Sequence, residues 1–191
     1  MESQDAQNAK KLLRSSLSEA RVKLSKDTKH PSMIAARLLE LTKNLSAKTV
    51  AAYLPFGTEP NILGFIQGAA GHGLKVIMPV SQLDGSMRWV EYTGQSEPGI
   101  FGFEEPVGTE TTLEAAELIL IPASATDSAG NRLGKGKGFY DIALSGLARK
   151  VPLAAVVYDA EVLPKLPVEE HDQAVDYVVT PMRIISTARL G

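Results

Sequence analysis

The stretch AELILIPASATDSAGNRLGKGKGFYD, residues 116–141, joins two unlike halves. Its first eight residues are short, apolar and rich in branched side chains, so they read as a strand buried on both faces. Its last twelve hold four glycines, three basic residues and a closing aspartate. FYDIALSGLARK (139–150) reads as the helix that follows. A buried strand, a glycine loop and a helix in succession suit an α/β domain. In such domains ligands sit outside the carboxyl ends of the strands.

Working outward, other segments fit the same class. TVAAYLPF (49–56), LKVIMPV (74–80) and VPLAAVVYD (151–159) are further buried strands, and DYVVT (176–180) is a last short one. MRWVEY (87–92) alternates like a strand with one wet face. NILGFIQGAAGHG (61–73) reads as a helix with Ile62, Phe65, Ile66 and Ala69 inward, closed by glycine. Two helices precede the first strand. In residues 6–24, Leu13, Leu17, Ala20 and Leu24 form one apolar stripe, with Lys10, Arg14 and Arg21 along its edge. From Pro31 to Leu45 the same spacing returns in Ile34, Leu38, Leu41 and Leu45, with proline suited to the first turn. The reading is one α/β domain over 1–191 with a mostly parallel sheet, residues 6–45 packing on it as a helical extension.

Composition narrows the function. The chain has 191 residues, 44% hydrophobic and 22% charged, with a formal net charge of −2. That balance suits a globular domain and excludes general nucleic-acid binding, which needs a strongly basic surface. Cysteine is absent, so disulfides, thiolate metal sites and cysteine nucleophiles are excluded. No apolar run approaches the ~20 residues of a membrane span, and the N-terminus lacks the apolar core of a signal peptide. A cytoplasmic protein without membrane or nucleic-acid partners is expected, with a monomer favoured.

The glycine loop has two readings. It is either a solvated connection with charges for solubility, or an anion cradle. In the second, backbone N–H groups and the start of the following helix converge on phosphate. Arg132 grips phosphate oxygens bidentately, and Lys135 and Lys137 add point charges. Asp141 fits if magnesium sits between its carboxylate and the phosphate. Neither G-x-x-x-x-G-K-[ST] nor G-x-G-x-x-G is matched.

Other candidates also carry two readings. Glu59 grips amino groups of a ligand, or is a first-turn helix acid favoured by the dipole. Asp172 in EEHD (169–172) is a second metal carboxylate, or part of a polar turn. Lys10 and Arg14, four apart, reach one anion, or form a solvated basic edge. Trp89 and Tyr92 stack on a flat ring, or pack in the core. His30, His72 and His171 show no zinc-type spacing.

Taken in order, KKLLR (10–14), YLPFGTE (53–59), GIFGFEEP (99–106), IPASATDSAGNRLGKGKGFYD (121–141) and LPVEEHDQAVDYVVT (166–180) resemble the 5-formyltetrahydrofolate cyclo-ligase, or 5,10-methenyltetrahydrofolate synthetase, family. The resemblance spans nearly the whole chain, and the glycine loop is its specific element. It implies a three-layer α/β/α, Rossmann-like fold and conversion of 5-formyltetrahydrofolate and ATP to 5,10-methenyltetrahydrofolate, ADP and phosphate, with Mg2+. By motif matching it implies that ATP is held by Lys10, Arg14 and the run Arg132, Leu133, Gly134, Lys135, Gly136, Lys137, Gly138, Phe139 and Tyr140. Leu54 and Glu59 contact folate, with Lys135 to Phe139 adjacent. Asp141 and Asp172 hold the metal, and Arg132 and Lys137 balance the transferred charge as the catalytic pair.

The chain departs from the family's pattern at Phe139 (often tyrosine), at Pro60 and Asn61, at Thr126 and at Glu161 (often glutamine). Two alternatives stand beside the enzyme: a non-catalytic folate- or nucleotide-binding module, and a phosphotransferase acting on another small amide.

Overall fold

The computed structural model describes residues 2–148, 150–169 and 172–190. Arg149, Glu170 and His171, which fall inside the stretches read above, lie outside the described residues. Two helices, α1 (Glu2–Leu24) and α2 (His30–Asn44), precede β1 (Thr49–Ala51). Then follow α3 (Leu63–Gly68), a 3-10 turn (Ala69–His72), β2 (Lys75–Ser81), β3 (Met87–Pro98), β4 (Glu104–Thr111) and β5 (Leu118–Pro122). The chain continues through β6 (Ala125–Asp127), β7 (Arg132–Leu133), α4 (Phe139–Ser145), β8 (Leu153–Val156), β9 (Val162–Leu163), β10 (Tyr177–Val179) and β11 (Ile184–Ser186).

Eight strands form the main sheet in the order β11-β10-β8-β5-β1-β2-β3-β4. The five strands from β10 to β2 are parallel, and the additions at both edges are antiparallel. The apolar runs behave as their composition dictates. Along β5, Leu118 and Leu120 face one core while Ile119 and Ile121 face the other. Ala154 and Val156 of β8 likewise oppose Leu153 and Ala155. Each fully buried Ile or Leu side chain is worth about 1.5–3 kcal/mol of burial. The first core is covered by α2 and α3, the second by α4 and the turn at Leu113. Helices therefore cover both faces of the sheet, the three-layer α/β/α arrangement.

Several elements differ from the sequence reading. The strand read over 49–56 ends at Ala51, because beyond the carboxyl end of this central strand the chain turns away to build the cavity described below. The helix read over 61–73 is α3 plus the 3-10 turn, with Gly73 left-handed at its end (φ 68°). The helix read over 139–150 stops at Ser145, where Gly146 follows. β3 runs on to Pro98, and Trp89 and Val90 are buried in succession, so residues 87–92 do not alternate strictly between a buried and an exposed face. Trp89 and Tyr92 are core residues.

A second, three-stranded sheet, β7-β6-β9, was not anticipated. Its strands have two or three residues each and exist only through their pairing. Leu13 and Leu17 of α1 pack on a small cluster there, formed by Ala125, Leu133 and Leu166. The first helix thus docks on the second sheet and not on the main one.

Candidate active site

In chain order the five parallel strands are β1, β2, β5, β8 and β10, so the spatial order runs 2-1-3-4-5. The order reverses between β1 and β5. The chain leaves β1 to form α3 on one face and leaves β5 to form α4 on the other. That divergence opens a crevice beyond the carboxyl ends of the two strands. A cavity of about 920 Å³ lies there. Tyr53, Leu54 and Glu59 enter it after β1, and Pro122 and the loop 132–141 after β5. Lys10 and Arg14 of α1, the β3–β4 turn, Glu169 and Asp172 complete the wall. Every residue that the resemblance assigns to a site lines this one cavity, whereas Trp89 and Tyr92 do not.

The four loop glycines divide by task. Gly130 (φ 89°) belongs to packing: a Cβ there would lie 2.4 Å from the Val175 carbonyl, and the Gly130 carbonyl accepts from Val175 N at 2.8 Å. Gly136 (φ 88°) and Gly138 (φ 72°) turn the loop along the cavity, and Gly138 starts α4. Left-handed backbone there favours glycine.

Arg132 is anchored by pairing with Thr126 across β6 and β7. Its guanidinium donates to Asp141 Oδ1, and its Nε is buried with no partner among the described residues. Thr126, a departure from the family pattern, is itself fully buried. From the opposite wall, Arg14 Nε donates to the Gly134 carbonyl at 2.7 Å.

Glu59 precedes α3 and is not in a helix, which removes the helix-dipole reading. It is buried at 8% exposure. Its Oε2 accepts from Phe56 N at 2.8 Å and its Oε1 from Lys135 Nζ at 2.7 Å. The altered residues beside it have local work. Pro60 O accepts from the Tyr53 hydroxyl, and Asn61 Oδ1 accepts from Leu63 N as α3 begins.

Lys10 is 4% exposed, so it is no solvated edge. Its ammonium donates to Asp172 Oδ2 at 2.5 Å and to Glu169 Oε2 at 2.7 Å. Burial lowers its pKa, but the hydrogen bonds to Asp172 and Glu169 outweigh this and hold it above 10.5. Asp141 Oδ1 also lies 3.4 Å from Gln173 N, so the segments bearing the two candidate metal acids adjoin. Each acid already has a cation, Arg132 for Asp141 and Lys10 for Asp172. Among the described residues no three Asp, Glu or His side chains form a metal cage. Two carboxylates lining one cavity suit magnesium, which takes one or two acids together with phosphate oxygens and water.

Sequence reasoning named Phe139 but not the aromatic wall it belongs to. Phe56, Phe101, Phe103 and Phe139 adjoin one another at 5.4–6.2 Å between ring centroids. Lys137 Nζ lies 4.5 Å from the Phe101 centroid, and Lys135 Nζ 5.3 Å from that of Phe56. Such contacts hold an ammonium over a ring face. The doublet Phe101-Gly-Phe103 was the signal; what it lacked was a partner nearby in sequence.

Two tyrosines beside Glu59 are shifted. Burial, reinforced by the Glu59 carboxylate, raises the pKa of Tyr140 and Tyr53 above 10.0. Native phenols and Lys10 then keep their protons after the unfolded chain has lost its own. The unfolded state binds fewer protons there, so stability falls as pH rises through and beyond about 10. Urea denaturation at about pH 8 and about pH 11 should show the midpoint dropping at the higher pH. A constant midpoint would mean that these groups titrate alike in both states.

The comparisons match the geometry. The model of the 5-formyltetrahydrofolate cyclo-ligase family matches residues 6–181. A 5-formyltetrahydrofolate cyclo-ligase of Mycolicibacterium smegmatis is 37% identical over 154 residues, covering 76% of this chain and 79% of that protein. One from Escherichia coli K12 is 31% identical over 158 residues, covering 78% and 87%. The solved 5,10-methenyltetrahydrofolate synthetase of Aquifex aeolicus superposes with a TM-score of 0.79 at 27% identity, over 94% of this chain and 93% of that one. That of Mycoplasma pneumoniae, at 22% identity and a TM-score of 0.73 over 90% and 98%, shares the fold. With nearly the whole chain inside the family match, and relatives above 30% identity aligned over most of their own length, this chain belongs to the 5-formyltetrahydrofolate cyclo-ligase family.

Proposed function

We propose that this protein converts 5-formyltetrahydrofolate to 5,10-methenyltetrahydrofolate at the expense of ATP, releasing ADP and phosphate. One observation carries the reading. A single switch-point cavity gathers a cationic glycine loop, two acids on adjoining segments and a buried carboxylate, and the Glu59–Lys135 pair ties the loop to the acid. A triphosphate meets the cations, and a pterin offers N–H donors to the acid.

The chemistry needs no protein nucleophile. The formyl oxygen is a poor leaving group, and its carbon a poor electrophile. Attack of that oxygen on the γ-phosphorus expels ADP and makes a phosphorylated formyl group. N10 then bonds to the formyl carbon and loses its proton. Phosphate departs as the C–O bond breaks, leaving the methenyl bridge. Positioning and charge neutralisation are the protein's tasks. Arg132 and Lys137 face the transferred phosphoryl group, Lys10 and Arg14 hold the nucleotide from α1, and Glu59 and Leu54 orient the folate. Asp141 and Asp172 would hold Mg2+, which neutralises phosphate charge when bound. Because Lys10 and Arg14 reach the cavity, α1 is part of the same catalytic unit. ATP dependence fits a cytoplasmic setting.

The test is direct: purified protein, 5-formyltetrahydrofolate and MgATP should yield ADP and the near-ultraviolet absorbance of the methenyl product in equal amounts. Folate binding without ADP formation would convert the reading to the non-catalytic module. Glu59→Gln should weaken folate binding by roughly ten- to hundredfold, since a charged hydrogen bond is worth ~1.5–3 kcal/mol. ATP binding should change much less. Calorimetry with each ligand separately decides it, and equal losses would place Glu59 outside the folate pocket.

A further inference from the structure

Arg21 does not line the cavity, yet it is buried at 6% exposure and makes three short hydrogen bonds. Its Nε donates to Glu161 Oε1 at 2.5 Å, and one terminal nitrogen donates to Glu161 Oε2 and to the Ala123 carbonyl, both at 2.6 Å. Glu161 is fixed in turn, since Tyr158 N donates to its Oε2 at 2.9 Å. His30, on α2, lies 5.4 Å from the Tyr158 ring. Ala123 and Tyr158 follow the carboxyl ends of β5 and β8, so the anchor stands on the rigid part of the fold.

Lys10, Arg14, Leu17 and Arg21 are spaced four, three and four, on one helix face. Arg21 is about 16 Å along the axis from Lys10. Between them Leu13 and Leu17 make a small apolar contact with the cluster of the second sheet. At the cavity end, Lys10 and Arg14 are bonded to Asp172, Glu169 and Gly134 O. Those are groups that a nucleotide and its metal would engage. The Arg21 end is the attachment of α1 that ligand exchange leaves untouched.

We infer that Arg21 is a positioning residue for the nucleotide site: through Glu161 and Ala123 it holds α1 so that Lys10 and Arg14 stand over the cavity. The inference rests on the ATP-dependent reading above. Arg21→Met strands the Glu161 carboxylate, so the working variant is Arg21→Met/Glu161→Gln, which removes the buried charge as well. Hydrogen exchange at residues 8–14 should rise at least about tenfold while β5 and β8 keep their protection. KM and Kd for ATP should rise about tenfold, with kcat at saturation within about twofold, the signature of lost ground-state binding. Lys10→Ala, costly alone, should add less than about twofold to the ATP Kd of the double variant.

Arg21→Lys/Glu161 wild type, lacking the fork that reaches both carboxylate and carbonyl, should restore only part of the affinity. Unchanged exchange at 8–14, or an equal Lys10→Ala penalty in both backgrounds, overturns the inference. A loosened α1 in a protein whose wild type binds no ATP upholds the anchor and overturns the ATP-dependent reading instead.

Discussion

Arg132→Ala lowers kcat by about 10²–10³, the range seen when one preorganised donor to a transition-state charge is removed. The argument starts from placement. Arg132 stands on β7, held by pairing with β6, and its guanidinium crosses the loop to Asp141 within the cavity. Its position is set by the sheet, so a contact that strengthens as phosphoryl charge develops is made without reorganisation. Lys10 differs. It reaches the cavity from α1 and is held by Asp172 and Glu169, so Lys10→Ala acts mainly on KM for ATP. Steady-state kinetics with ATP varied at saturating 5-formyltetrahydrofolate separates the two. If Arg132→Ala moves KM alone, or Lys10→Ala collapses kcat with KM intact, the reacting phosphate lies elsewhere in the cavity.

Asp141→Asn removes most turnover, about 10²-fold or more on the electrostatic scale that governs phosphoryl transfer. The fold survives, because Asp141 is a half-buried first-turn residue of α4 and lies outside both main cores. Its carboxylate has two possible tasks, holding magnesium and orienting Arg132, and a double variant distinguishes them. If Asp141 acts only through Arg132, Arg132→Ala/Asp141→Asn is no worse than Arg132→Ala alone. If it holds metal, the losses compound, and Mn2+ binding in the presence of ATP weakens in Asp141→Asn as measured by electron paramagnetic resonance of the free ion. Near-normal turnover at limiting magnesium would remove Asp141 from the metal site.

Residue chemistry at the site was legible wherever it was local. Glycine, arginine, lysine and aspartate within 130–141 mark a mobile-backbone, cationic loop as a candidate anion site, because backbone freedom and charge are written into residue type. The role of Gly130 was not legible, since its neighbour is the Val175 carbonyl, brought in by the loop before β10. Glu59 was readable as a ligand-facing acid, but its environment was not. Nothing near it in sequence predicts that Lys135 would pair with it or that Tyr140 would lie beside it. Phe101 and Phe103 were visible only as part of a family motif; their function as a wall depends on meeting Phe56 and Phe139.

By itself the sequence determined the parallel centre of the sheet and the place of the glycine loop after β5. Uninterrupted branched apolar runs such as LILIP suit strands with a core on each face, and glycines crowded after such a strand mark a loop of unusual backbone freedom. Tertiary structure alone decided the rest. β4 carries Pro106, Gly108 and several glutamates, so it is a strand because β3 offers it an edge, and β6, β7 and β9 are too short to exist unpaired. The pairing of Lys10 with Asp172, 162 residues apart, and of Arg21 with Glu161, 140 apart, turned an apparently solvated basic helix edge into two buried anchors. Charge pairs of that separation leave no periodicity to read, because whether a lysine is solvated or buried depends on what the fold sets against it.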